Sequence, residues 1–571
     1  MGATERSGPA VLDELRAAVA AHPLVNLTGP LGVGKSRLAA GLADTLRVDL
    51  DRPGAPDALR AALADLGPRV LVVDSADGRP RLGLVREALD RVGEERPTVV
   101  VVSRRPVLTD PRWADCGAVA VTVTPACDSR IATQAGIEEP DGRALVVRLA
   151  GGIPLLADAV HRALRAGVPA TAPGAVADQV AEEIVERLAR EQPGRRWRHA
   201  LRLLATVWSG DERLLPGGPD HFTALAALSI VGRGPLGLRI AEPYRTVLEL
   251  AYRWRQPDAH EAVRVRARDY RLTLLGRAGS GSERAELAEQ GLFLSGDPLV
   301  RRELFPAGER SVRFRAATDT DADDIGRLMR QWALRSGFDR RRCDRLTERW
   351  AGDDISAFHL AHDRSGRPVG LANLMPIGER TVDGMAPLLQ QHSGELAAGG
   401  LFLGAAHCPD PAARAQLLRH VLRHAVGSGR LVVSTASPEY QLLVRGLGFR
   451  VHGDIRDDLY RCGRRPAVFS NDFAPQALPW WLDRITAGGT GGRDGGTGHG
   501  GPRLSPKELR ILVDYASGMT LKSAARRAGI TPNTAKDYLD RVKSKYRQAG
   551  RPAYTKIDLA LRVREDGLDR G

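Results

Sequence analysis

In the N-terminal quarter of the chain, short apolar runs alternate with stretches of helical spacing. The runs are LVNLT (24–28), LRVDL (46–50), RVLVVDSAD (69–77), TVVVVSRRPVL (98–108) and AVAVTVTP (118–125). A brief apolar run between helical segments is the signature of a strand buried on both faces of a parallel sheet. SRLAAGLADTL, directly after the first run, reads as a helix. The pattern predicts an α/β domain with its ligand at the carboxyl ends of the strands.

From 311 the pattern changes. SVRFRAATDTDADDIGRLMRQWA reads as strand, polar turn and helix. AFHLAHDRSGRPVGLANLMPI reads as a hairpin with its tip at Ser365-Gly366. GLFLGAAH, ARAQLLRHVLRHAV and RLVVSTASPEYQLLVRGLGFRV add a strand, a helix, and then a strand and helix ending in a Gly-Phe turn. GGTGGRDGGTGHGG (488–501) has no apolar positions and reads as a flexible linker. Fourteen such residues span roughly 20 Å root-mean-square.

The last segment is helical throughout. Ser505 and Glu508 form a capping box, and Leu509, Leu512, Val513 and Ala516 fall on one face. Thr520 caps a second helix, Leu521 to Ala528, and Gly529 makes a tight turn. Thr531 and Pro532 are the N-cap and N1 pair of a third. Two short helices joined by a glycine turn predict a helix-turn-helix.

One motif gives the first domain a chemistry. Gly29, Gly32, Gly34, Lys35 and Ser36 lie in GPLGVGKS, which fits the phosphate-cradling pattern G-x-x-x-x-G-K-[ST]. Loop N–H groups and the following helix N-terminus point at the anion. Lys35 is placed to reach the β- and γ-phosphates, and Ser36 to hold Mg²⁺. Asp74, ending its strand, has the position of the acid that holds Mg²⁺ through water. Arg104, at the end of the fourth run, is placed to sense the γ-phosphate.

Composition sharpens this reading. The chain has 571 residues, 83 of them Lys or Arg, and a net charge of +14. Only seven are lysines: Lys35, and six at 507, 522, 536, 543, 545 and 556. Ammonium and guanidinium are not interchangeable at a phosphate loop, so a lone Lys35 in an arginine-rich background marks a chemical requirement. The segment 503–571 holds sixteen basic and eight acidic residues, an excess suited to phosphates. Five scattered cysteines without metal spacing fit reduced thiols. No apolar run approaches the roughly 18 residues of a membrane span, and the N-terminus lacks an apolar signal core. A cytoplasmic protein without a membrane partner is expected.

Three resemblances follow from these motifs. LTGPLGVGKSRLA, LVVDSAD, VVVSRRPVL and LAGGIPLLADAV occur in the order found in STAND-type ATPases, relatives of the AAA and NB-ARC groups. This implies ATP or ADP with Mg²⁺, Arg104 as a sensor, and Gly152 and Pro154 as the Gly-x-Pro element of a helical lid. Where relatives carry a water-activating acid after the Mg²⁺ aspartate, this chain has Ser75, with Asp77 as the next acid. The catalytic candidates are therefore Asp74 and Asp77, in a slow ATPase acting as a switch. The stretch 234–257 resembles the winged helix that follows the lid, with Ala241-Glu242 where relatives place an ADP-sensing His-Asp pair.

The order of elements from 312 to about 460, closing on LVRGLGF, resembles the GNAT N-acetyltransferase fold. The Gly-rich pyrophosphate loop of that family is replaced by AAHCPDPAARAQ, where Pro409 and Pro411 remove backbone donors. Acetyl-CoA is not expected to bind in the usual way, and His407 and Cys408 read as strand-end packing residues. The segment from 503 resembles the LuxR-type DNA-binding domain, including its trailing helix AYTKIDLALRV. That assigns Thr531, Asn533, Thr534, Lys536 and Arg541 to the groove-facing helix. Lys543 and Lys545 are better placed for phosphates, and Lys522 is a further DNA-binding candidate.

The expected organisation is multidomain: a P-loop core over 1–135, a lid over 136–215 and a winged-helix-like region over 216–305. A GNAT-like domain over 311–475, a linker over 486–502 and an all-α DNA-binding domain over 503–571 follow. The expected partners are double-stranded DNA, a second copy of the chain on that DNA, and an unidentified signal. Two alternatives stand beside a nucleotide-gated regulator: an N-acyltransferase with regulatory ends, and an ATP-dependent signalling or defence scaffold.

Overall fold

The computed structural model describes residues 8–64, 70–92, 97–134, 136–137, 139–215, 217–307, 312–363, 365–487, 504–548, 553 and 555–565. The chain divides into two compact units, 1–489 and 490–571, in a multidomain α/β arrangement. Most of the stretch expected as a linker, from 488 on, lies outside the described residues.

The apolar runs of the first quarter form a five-stranded, wholly parallel sheet. Its strands are β1 (Leu24–Thr28), β2 (Thr45–Asp49), β3 (Val70–Asp74), β4 (Val99–Ser103) and β5 (Val119–Thr122), in the order β2-β3-β4-β1-β5. Every residue of β1 and β4 is buried, as two covered faces require. The helix expected over 36–46 is shorter and spans only Lys35–Ala39. Gly41 packs beside Leu12, Leu42 is buried, and Asp44 takes a left-handed φ of +47° that turns the chain into β2.

Helices then run from Pro140 to Thr206. A short hairpin follows, β6 (Val231–Gly234) and β7 (Gly237–Ile240), and then helices Tyr244–Arg255, Pro257–Leu275, Gly281–Phe293 and Pro298–Leu304. The second sheet is built from β8 (Arg313–Ala316), β9 (Phe358–His362), β10 (Pro368–Pro376) and β11 (Leu401–His407), with β12 (Arg430–Thr435), β13 (Arg450–Asp454) and β14 (Ala467–Asp472). Its order is β13-β14-β12-β11-β10-β9-β8. Only β11 and β12 run parallel, and their pairing stops at Leu403 with Val433. Beyond it the strands splay around an apolar cavity of about 60 Å³, lined by residues 403–406 and 433–435 among others.

This sheet does not stand apart from the helices before it. One continuous hydrophobic core runs from Leu31 to Ile485 across the expected boundaries at 215 and 305. Helix Pro411–Ser428 packs on Gly281–Phe293 and Pro298–Leu304, with Arg414–Glu303 and Arg419–Glu289 ion pairs at 3.0 and 3.1 Å.

The second unit contains helices Pro506–Ala516, Leu521–Ala528, Pro532–Gln548 and Lys556–Glu565. Ile511, Leu512, Ala525, Ala535, Leu539, Val542, Tyr546 and Leu559 form its core. The local signals act as expected. Ser505 and Glu508 exchange both capping-box hydrogen bonds, Thr520 accepts from the Ser523 N–H, and Gly529 closes its helix at φ +68°.

Candidate functional site

The loop after β1 places Lys35 and Ser36 at the start of the short helix Lys35–Ala39. Lys35 is buried, and its Nζ donates to the carbonyl oxygens of Gly29 at 2.7 Å and Pro30 at 2.9 Å. Burial lowers its pKa from 10.5 to about 8, against the pull of Asp77 and Asp74. The loop thus curls around its own lysine, with the ammonium facing neutral oxygens. An ammonium so placed favours an anion, because a polyphosphate restores the charge partner that burial withholds.

The Ser36 hydroxyl donates to Asp74 Oδ1 at 3.1 Å, bringing together the two residues expected at Mg²⁺. Asp74 also accepts from the Ser75 N–H at 2.8 Å and pairs with Arg47. A hydroxyl and a carboxylate are the hard oxygen donors that Mg²⁺ takes, so this pair fits the ion.

Asp77 and Arg104 are bound to each other. The Arg104 N–H donates to Asp77 Oδ1 at 2.7 Å, and its Nε lies 3.1 Å from Asp77 Oδ2. The Arg104 guanidinium also pairs with Glu191, and Glu191 accepts from the N–H and hydroxyl of Ser229 at 2.7 and 2.8 Å. Burial lowers the Arg104 pKa, opposed by Asp77. In this arrangement Asp77 is a structural counter-ion, and Arg104 links β4 to the helical region. Arg105 donates to the carbonyl oxygen of Leu228 at 2.7 Å and also to that of Val231.

Helix Pro154–Arg165, in the stretch expected as a lid, touches the loop directly. Pro154 opens helix Pro154–Arg165, and the next N–H, of Leu155, donates to Gly32 O at 3.2 Å. A Cβ on Gly32, at φ +75°, would stand 2.5 Å from that of Leu155. A Cβ on Gly152, at φ +82°, would stand 2.2 Å from Ala126 O. Both glycines are therefore required by close approach. At the start of helix Tyr244–Arg255, Tyr244 donates to Leu31 O at 2.6 Å. At the Ala241-Glu242 position, Glu242 pairs with Arg245, and the contact to the loop comes from Tyr244 instead.

In the second unit, Thr531, Asn533, Lys536 and Arg541 are exposed, and Thr534 is half-buried with its N–H donating to Thr531 Oγ1 at 3.2 Å. Lys522 is exposed on the preceding helix. Lys543 is half-buried. Lys545 lies 2.7 Å from the buried Glu508 carboxylate, so it joins the first and third helices of the unit.

Sequence reasoning missed Glu191, Tyr244, Leu155 and Arg47. Each meets the loop, Asp74 or Arg104 through a long-range contact, and no local motif marks such a partner. No helix among the described residues is long and apolar enough to cross a membrane.

No protein-family model matches the chain, and no curated protein does. Among solved structures, a Walker-type ATPase of Pyrococcus abyssi is 16% identical, over 43% of this chain and 95% of that one, with a TM-score of 0.32. A RuvB variant of Thermotoga maritima is 17% identical over 44% and 95%, with a TM-score of 0.28. A histone acetyltransferase and related acetyltransferase of Corynebacterium glutamicum is 20% identical over 28% and 96%, with a TM-score of 0.22.

Proposed function

We propose that the chain is a nucleotide-gated, DNA-binding transcriptional regulator. ATP or ADP with Mg²⁺ occupies the 29–36 loop and biases the packing of the first unit. The basic helical unit is the output, reading double-stranded DNA as a pair of copies.

One observation carries the first half of this reading. The phosphate loop is wired at consecutive residues to two different regions: Leu31 to Tyr244, and Gly32 to Leu155. A change in loop geometry on binding phosphate is felt in the lid and the helices beyond. A ligand can shift a two-state equilibrium only through such differential contacts. The DNA half is supported by the exposed Lys522, Asn533, Lys536 and Arg541, and by the local excess of basic residues. Asp77 is tied to Arg104 rather than free to activate water, which suits a switch with slow hydrolysis.

The test uses full-length protein on randomised duplex DNA at fixed salt, first with ADP and then with a non-hydrolysable ATP analogue. A selected site whose affinity differs between the two nucleotides supports gating. Equal affinities remove the nucleotide from DNA control, and no salt-dependent DNA binding removes the regulator reading.

A second reading is favoured by the splayed β11–β12 cavity, which would admit an acyl chain. Against it, Asp410 caps helix Pro411–Ser428 by accepting from the Ala413 N–H at 2.8 Å, setting a carboxylate where an acyl carrier's phosphates would lie. Calorimetry of the full chain with acetyl-CoA distinguishes the two; measurable binding heat favours the acyltransferase. The full chain is the right sample, because this sheet shares its core with the preceding helices.

A further inference from the structure

The chain has 13 histidines among 571 residues, and three of them converge on the second sheet. His359 lies on β9. His420 and His424 lie one turn apart on helix Pro411–Ser428, so both project from the same side. One ring nitrogen from each residue lies within 4.8 Å of the other two. The nearest pair, His420 Nε2 and His359 Nδ1, is 3.0 Å apart. Ring centroids are separated by 5.1 Å (His359–His420), 4.6 Å (His359–His424) and 4.5 Å (His420–His424).

The cluster is supported on its flanks. Phe314 of β8 stacks on the His420 ring at 4.3 Å and fixes its plane. His359 and His420 are half-buried, whereas His424 is exposed and leaves a way in from solvent. The two arginines beside them in sequence both have carboxylate partners: Arg419 pairs with Glu289, and Arg423 with Glu286 and Glu289. An added dication therefore does not meet an unmatched guanidinium there. Burial, followed by mutual repulsion, lowers the pKa of His359 to about 4 and of His420 to about 3; burial lowers that of His424.

A single hydrogen bond accounts for His359 and His420 as a pair. It does not account for a third imidazole directed at the same point. We propose that His359, His420 and His424 bind a divalent transition-metal ion of the Zn²⁺ class. Zinc bound to imidazole sits about 2.0–2.1 Å from each nitrogen, with three protein ligands leaving a fourth position open. Tetrahedral bonds of that length set two nitrogens about 3.3–3.4 Å apart, so side-chain rotations that draw nitrogens 4.8 Å apart about 1.4 Å closer complete such a set. Imidazoles favour zinc, copper, nickel and cobalt over Mg²⁺, so this site is chemically distinct from the phosphate loop. The ion pins β9 to helix Pro411–Ser428, the helix that packs against Gly281–Phe293 and Pro298–Leu304. Metal availability thereby becomes an input to the middle of the first unit.

The experiment is a Co²⁺ titration of untagged, metal-stripped, nucleotide-free full-length protein, read by the visible absorption of low-symmetry Co²⁺. The expected result is one equivalent bound, displaced by Zn²⁺ and not by excess Mg²⁺. His424→Ala, at an exposed position, is expected to weaken binding by at least ~100-fold, beyond the usual effect of losing a supporting residue. His392→Ala, outside the cluster, should leave it unchanged. The absence of binding to the wild-type chain overturns the proposal, whatever the variants do. Binding that is unaltered by both His424→Ala and His359→Ala places the metal elsewhere and also overturns it. Far-UV circular dichroism of each variant separates loss of a ligand from loss of the fold.

Discussion

The phenol of Tyr244 donates a hydrogen bond to the carbonyl oxygen of Leu31 at 2.6 Å, across 213 residues of sequence. Both residues are buried, and burial raises the Tyr244 pKa well above its usual range, so the group stays a donor. Tyr244→Phe keeps the ring and removes only the hydroxyl. It is expected to cost about 1–3 kcal/mol, because the Leu31 carbonyl loses its partner in a dry site. Urea unfolding measures that loss. Titration of the same variant with ADP and an ATP analogue tests whether the bond also sets their affinity ratio.

Lys35 should take up a proton when nucleotide binds. Its folded pKa is about 8, against 10.5 ordinarily, because burial disfavours the ammonium. Between those pH values the folded chain binds fewer protons than the unfolded one, so the Lys35 contribution to stability rises with pH in that window. Phosphate beside the ammonium reverses the shift. At pH 8 binding should draw in up to about half a proton per site, seen as a dependence of the calorimetric heat on buffer ionisation enthalpy. Lys35→Ala should abolish nucleotide retention altogether. Unchanged nucleotide content in that variant would rule out the site.

The triad of Arg104, Asp77 and Glu191 ties β4 to the helical region. Glu191→Gln leaves Arg104 buried with one carboxylate fewer, and should destabilise the chain by about 1–3 kcal/mol. The effect should largely vanish in an Arg104→Met background, since the two groups act as a unit. Additive losses in that double-mutant cycle would show that the pair is not coupled.

Two lysines of the same helix should behave differently. Lys536 is exposed, and Lys536→Ala should weaken binding to the selected DNA site more than to other sequences, relaxing specificity. Lys545 is paired with buried Glu508. Lys545→Ala should act mainly on stability, by about 1 kcal/mol, with the smaller effect on DNA. Electrophoretic mobility shifts at several salt concentrations, beside thermal melts, separate the two effects.

Sequence alone determined what local physics can encode. Buried parallel strands must be apolar along their length, so β1, β3 and β4 stood out as runs. The capping box at Ser505, the cap at Thr520 and the turn at Gly529 depend on neighbours within a few residues, and each formed where its residues indicated. The loop from Gly29 to Ser36 stood out because its glycines and lysine have the spacing that close backbone approach to a phosphate would demand. Tertiary structure decided the rest. It ended the first loop helix at Ala39, because the packing of Gly41 and Leu42 outweighed a favourable helical sequence. It tied Asp77 to Arg104, and Arg104 to Glu191, a choice of partner set by distance in space. It brought His359 from a strand to His420 and His424 on a helix, and Tyr244 to Leu31. No periodicity records such pairs, since the segments meet only once the core from Leu31 to Ile485 has closed.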